Sequence, residues 1–189
     1  NFVLFVMPFT FQTAYAYDCN YYGEQAARIV TADSYYNWEL RAAYQVCNRH
    51  ALEAFRIVTN GRYTEKVLLW TTQVDTSYGV DAVRTIADSS YTDWEVKWAS
   101  KVRNRHALAA FRSVASGTYY ESTLSWTTNV ANHYGAEAVR LVVDSSYFDW
   151  EVQWASYVHT SREYSAFSRI ARGTYYETDL KWAATLDGY

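Results

Sequence analysis

The sequence predicts an all-α fold, a short α-solenoid of six 28-residue helical hairpins grouped into 56-residue super-repeats. Three observations lead there, and self-similarity comes before any propensity argument. Trp38, Trp94 and Trp150 recur at a 56-residue interval, as do Gly61, Gly117 and Gly173. Within that interval Tyr35, Tyr63, Tyr91, Tyr119, Tyr147 and Tyr175 hold one 28-residue phase, and Ala26, Ala54, Ala82, Ala110, Ala138 and Ala166 hold another. A good N-cap residue marks the same place in every unit: Asn20, Asn48, Thr76, Asn104, Asn132 and Thr160.

The first segment, residues 1–16, stands apart from the repeats. Val3 to Met7 is an apolar run, and Ala14-Tyr15-Ala16 has the small-x-small form of a signal-peptidase site. The segment is too short to span a bilayer. Two readings follow. It is the remnant of a secretory signal, so that the mature chain begins at Tyr17. Alternatively it is a retained docking arm, in which Val3, Phe5, Met7, Phe9 and Phe11 share one side of an extended strand that packs on a neighbouring subunit.

Residues 17–189 form a single helical-repeat domain, with units at about 20–47, 48–75, 76–103, 104–131, 132–159 and 160–189. Each unit reads as a first helix of about ten residues, a tight turn and a second helix of similar length. The second helices are expected to be capped from Ser34, Arg62, Ser90, Thr118, Ser146 and Thr174. Their capping boxes close on Asn37, Glu65, Asp93, Glu121, Asp149 and Glu177, three residues on. Gly61, Gly117 and Gly173, just before second helices, are expected in the left-handed conformation. Gly23, Ala51, Gly79, Ala107 and Gly135 should let neighbouring helices approach closely. Trp70, Trp98, Trp126, Trp154 and Trp182 hold a further phase, with Ala42 the departure. Of these, Trp98, Trp126 and Trp154 are expected to be mostly buried. A strand reading of Trp94, Val96 and Trp98 competes, but a capping box has no use at a strand entrance. Helices this short are unstable alone, so their stability must come from stacked neighbours.

Composition bounds the function classes. Half of the 189 residues are apolar, so the chain can bury a core. A net charge of −3 disfavours a dedicated nucleic-acid or anionic-membrane surface. With 19 Tyr and 8 Trp, the chain is rich in side chains that suit both cores and interfaces.

Candidate chemistry is sparse. Cys19 and Cys47 lie one repeat apart and, in an exported protein, would pair. His50 and His106 share a phase and fit the first turn of a helix, without ligand spacing for a metal. Glu39, Glu95 and Glu151 are expected to pair with Arg28, Arg56, Arg84, Arg112 and Arg140 in a ladder along the stack. The remaining enzymatic reading, Glu95 and Glu151 as the acid and base of a glycoside hydrolase, conflicts with the repetition of every candidate. No phosphate loop, nucleophile elbow or zinc signature is present in the sequence, and no catalytic, cofactor or metal site is assigned.

The expected function is therefore a non-enzymatic exported scaffold, periplasmic or extracellular, that binds a protein partner or copies of itself. The alternative is a carbohydrate-binding module that uses Trp and Tyr faces, with Trp38, Trp94 and Trp150 as the candidate ligand or partner row. No nucleic acid and no stable transmembrane span are expected. Ser161, Arg162, Glu163, Ser168, Arg169 and Arg172 give unit six the polar character of an end cap.

Overall fold

The computed structural model describes residues 10–32, 35–87, 91–143 and 147–187, with side chains from Cys19 onward. Among the described residues the chain forms twelve helices and no strand. The long α1 covers Thr10–Val30. The other first helices are α3 (Arg49–Thr59), α5 (Ser77–Ala87), α7 (Arg105–Ala115), α9 (His133–Val143) and α11 (Ser161–Ala171). The second helices are α2 (Asn37–Ala43), α4 (Glu65–Thr71), α6 (Asp93–Ala99), α8 (Glu121–Thr127), α10 (Asp149–Ser156) and α12 (Glu177–Ala184).

The first helices begin where the sequence places them. Asn48 accepts from the amides of His50 and Ala51, Asn104 from His106 and Ala107, and Asn132 from Tyr134 and Gly135. Thr76 and Thr160 cap in the same way through their hydroxyls. Asn20 does not cap, because α1 already runs through it from Thr10. Helix from Thr10 also overturns the extended reading of the docking arm at Phe11; Val3, Phe5, Met7 and Phe9 lie outside the described residues.

The second helices start later and are shorter than expected, at 7 or 8 residues. Their N-caps are Tyr36, Thr64, Thr92, Tyr120, Phe148 and Tyr176, two residues beyond the assigned caps. Of the assigned set, Ser34, Ser90 and Ser146 lie outside the described residues. The box therefore closes on Glu39, Glu95 and Glu151, not on Asn37, Asp93 and Asp149. Their carboxylates accept from the backbone amides of Tyr36, Thr92 and Phe148. At Tyr36 and Phe148 the carboxylate three positions on satisfies the cap residue's own amide, which is one half of a capping box. Gly61, Gly117 and Gly173 are not left-handed, since no described residue has positive φ.

Packing follows a simple rule. Each first helix contacts the first helices before and after it, each second helix contacts its second-helix neighbours, and the two helices of a hairpin pack together. Between the layers lie Phe55, Phe111 and Phe167 from first helices and Leu68, Val96, Leu124, Val152 and Leu180 from second helices, all fully buried. The 28-residue alanine phase lies at the closest approach, with Ala26, Ala54, Ala82, Ala110 and Ala138 fully buried. At Gly135 a Cβ would stand 3.1 Å from the Val158 carbonyl oxygen at the end of the same unit, so this position has room only for a small residue. In unit six the same position carries Glu163. Its carboxylate turns back to accept from the His159 and Thr160 amides.

Polar side chains tie the start of a unit to its end. The N-cap side chains of Thr76, Asn104 and Asn132 also donate to the carbonyls of Val102, Val130 and His159. The Cys19 and Cys47 sulfurs lie 2.07 Å apart, at disulfide distance, with Cα atoms at 3.8 Å. Cys47 sits in the turn after α2, where the chain converges on α1 and escapes the usual helix–helix separation. One super-repeat on, the same register positions are held by an Asp75–Arg103 ion pair.

Candidate functional site

The aromatic residues gather on the second helices, and their geometry separates structural rings from available ones. Trp38, Trp94 and Trp150 are half-buried and lie edge-on against Tyr63, Tyr119 and Tyr175 of the next unit, with ring centroids 6.2, 6.0 and 6.2 Å apart. Those three phenols donate to the buried carboxylates of Glu39, Glu95 and Glu151. Each carboxylate thus caps its own helix with one oxygen and holds the following hairpin with the other. Burial, the hydrogen bond to Glu39 and the charge beside it push the Tyr63 hydroxyl up to about 12. Tyr175, against Glu151, is likewise pushed up to about 12, and Tyr119, against Glu95, is pushed in the same direction. The odd-unit tyrosines work backwards: Tyr91 and Tyr147 donate to the carbonyls of Val58 and Thr118 in the preceding unit.

This arrangement corrects the expected Arg–Glu ladder. Arg28, Arg56, Arg84, Arg112 and Arg140 are exposed on the first helices, remote in partnership from Glu39, Glu95 and Glu151. Within this series the ion pairs are Arg84 with Glu53 and Asp81, Arg112 with Asp81, and Arg140 with Glu137, all on the surface. Such pairs add little stability. In Glu95 and Glu151, the glycosidase candidates, both carboxylate oxygens accept structural hydrogen bonds.

The other tryptophan phase sits at the rim of the core. Trp70, Trp98, Trp126 and Trp154 pack against the core with only a minor part of their surface exposed, as expected of Trp98, Trp126 and Trp154, and Trp182 is 61% exposed. The indole N–H groups of Trp98 and Trp154 donate to Glu121 and Glu177 of the next unit, at 3.1 and 3.2 Å. Hydrogen bonds from Lys97 and Trp98 hold the Glu121 carboxyl below its usual range, against the opposing effect of desolvation. Between α4 and α6 these side chains leave an open groove of about 460 Å³, lined by Lys66, Trp70, Gln73, Trp94, Lys97 and Glu121 among others.

One set of aromatics went unread in the sequence. The N-cap residues Tyr36, Tyr120, Phe148 and Tyr176 are the most exposed tyrosines and phenylalanine described, Tyr176 at 78%. They occupy one register position on successive second helices, and three of them, Tyr120, Phe148 and Tyr176, are consecutive. Tyr36 stacks on Trp38 and Phe148 on Trp150, with interplanar angles of 8° and 10°. The signal was an aromatic doublet: each of these residues follows a member of the invariant tyrosine phase.

His106 and His133 approach with ring centroids 6.4 Å apart, and among the described residues no group of three His, Cys, Asp or Glu is placed to hold a metal. No described helix is long and apolar enough to cross a membrane. Comparison with protein-family models, curated proteins and solved structures finds no match to this chain.

Proposed function

We propose that the protein is a non-enzymatic, exported helical-repeat scaffold, a short α-solenoid that binds protein partners through the aromatic edge of its second helices. The observation that carries the reading is the consecutive exposed row Tyr120, Phe148 and Tyr176 at the N-termini of α8, α10 and α12. Large aromatics left in water side by side are costly unless they are covered, and such rings dominate the centres of protein interfaces. Structural use of Glu39, Glu95 and Glu151 supports a non-catalytic role, since each repeated carboxylate already has its hydrogen-bond partners. The Cys19–Cys47 pair supports export to an oxidising compartment.

The first partner to test is a second copy. Contact is lateral, along the aromatic row, because that is where the exposed rings stand. Sedimentation velocity over a micromolar concentration series should show reversible association of the wild-type chain. The triple variant Y120S/F148S/Y176S should sediment as a monomer with an unchanged helical circular dichroism spectrum. A wild-type chain that stays monomeric throughout rejects the self-associating form of this reading.

A further inference from the structure

Two of the three tryptophans near the start of odd-numbered second helices carry a ring from their own N-cap residue. Tyr36 stacks on Trp38 and Phe148 on Trp150, with centroids 6.1 and 5.9 Å apart. The same place beside Trp94 is held by Thr92. Among the described residues no ring stacks parallel on Trp94, whose aromatic contact is edge-on, with Tyr119. The even-numbered second helices show the converse. Tyr120 and Tyr176 stand at the N-cap, but Ser122 and Thr178 follow where a tryptophan would. Both rings are left exposed, at 72% and 78%. In this register one tryptophan lacks its stacked ring, and two such rings lack a tryptophan.

Trp94 lines the groove between α4 and α6, a space of about 460 Å³ that Leu69 and Trp70 also border. That volume is ample for one aromatic side chain. One super-repeat on, Phe148 and Tyr157 lie against Trp150 and Trp126, so there the chain covers its own indoles with rings. Two charges lining the groove have room for a partner. Among the described residues Lys66 makes no ion pair, and Asp93 accepts only the Thr64 hydroxyl. Lys97 is already engaged by Glu121, at 3.0 Å.

Resting on the self-associating reading, we infer that this groove receives Tyr176 of a second copy of the chain. The phenol ring takes on Trp94 the place that Tyr36 and Phe148 take on their own tryptophans, and its hydroxyl donates to Asp93. Glu177, which follows it, holds the Trp154 indole with one carboxylate oxygen and has no partner for the other among the described residues. That free oxygen meets Lys66. Tyr120 is less suited, because Glu121 after it is already bound by Lys97 and Trp98. Groove and ring both belong to the second-helix layer, the groove at α4 and α6 and the ring at α12. A two-fold axis relating the copies sets each Tyr176 against the other's groove, and association closes as a dimer.

Sedimentation velocity of the full chain reads the contact. The wild type should form a dimer, and Trp94→Ala, Lys66→Glu and Glu177→Lys should each weaken it by about tenfold. K66E/E177K, which exchanges the two charges, should regain most of the affinity that either single change loses. Photo-cross-linking maps the contact without removing a groove residue. With p-benzoylphenylalanine in place of Tyr176, irradiation of mixed unlabelled and isotope-labelled copies should join position 176 to α4 or α6 of the other copy. A wild-type chain that stays monomeric rejects the self-associating reading and this contact with it. A different result overturns the groove contact alone and leaves that reading standing: a dimer that Y120S/F148S/Y176S abolishes but Trp94→Ala and Lys66→Glu leave intact, with cross-links only outside α4 and α6.

Discussion

The Glu95 carboxylate accepts the phenol proton of Tyr119, 24 residues and one helix ahead of it. The same carboxylate caps α6 through the Thr92 amide. Start of one helix and position of the next are therefore coupled through a single buried acid, and the coupling repeats at Glu39–Tyr63 and Glu151–Tyr175. Tyr119→Phe should destabilise by about 2 kcal/mol and Glu95→Gln by about 2–3 kcal/mol, as for buried hydrogen bonds to a charged group. In a double-mutant cycle read by urea unfolding, the pair should show a coupling above about 1 kcal/mol. Additive losses would mean that the phenol and the acid act separately.

These tyrosines also make alkaline stability predictable. Tyr63 and Tyr175 titrate at about 12 in the folded chain against an ordinary value of 10.0, and Tyr119 is raised further in the same direction. The folded state holds these protons more tightly than the unfolded state. Their contribution is thus fully present below pH 10 and is lost as pH rises from about 10 towards 12. Midpoints of urea unfolding should fall steeply across that window. Y63F/Y119F/Y175F should start lower and fall less. An equal alkaline slope in both proteins would contradict the assignment.

Glycines of the two kinds should respond in opposite directions. A Cβ at Gly117 meets nothing nearer than 3.9 Å, and its φ is not positive. Gly117→Ala should stabilise by about 0.5 kcal/mol by restricting the unfolded chain. Gly135→Ala should cost about 1–3 kcal/mol, because the new methyl group presses on the Val158 carbonyl and on Val130. Thermal unfolding of the two single variants distinguishes them by sign.

Core substitutions should rank by burial and not by ring size. Phe111, fully buried between the layers, should cost about 3–5 kcal/mol on change to Ala. Trp126, at the rim, should cost less, about 2–3 kcal/mol, since part of its surface stays in water. A larger loss at Trp126 than at Phe111 would place the indole in the core after all.

Cys19 and Cys47 close a span of 28 residues, and loss of such a link costs about 3–4 kcal/mol in the chain-entropy account. Reduction, or Cys47→Ser, should lower the unfolding midpoint accordingly. Because Asp75 and Arg103 stand at the equivalent register positions and already touch, D75C/R103C should form a second cross-link. Intact mass before and after reduction would show it, and two free thiols in the oxidised variant would deny it.

The sequence by itself determined the helical class, the places where first helices begin and the positions that must stay small. Those properties are local or periodic. An Asn or Thr side chain meets its amide two or three residues on. An alanine repeated every 28 residues can serve only one place in a regular structure. The Cys19–Cys47 pairing was legible for the same reason, as one repeat interval.

Tertiary structure decided the rest, wherever several groups could satisfy the same need. Asp93 and Glu95 are both carboxylates near the start of α6, and only the position of Tyr119 in the next hairpin makes Glu95 the buried one. Asp93 instead accepts from Thr64 of the unit before. Trp94 and Val96 alternate along the same helix, and sequence alone does not say which faces inward. Packing of the two layers decides it: Val96 and Leu124 are fully buried between them, and Trp70 and Trp94 stand at the rim, where they line the groove.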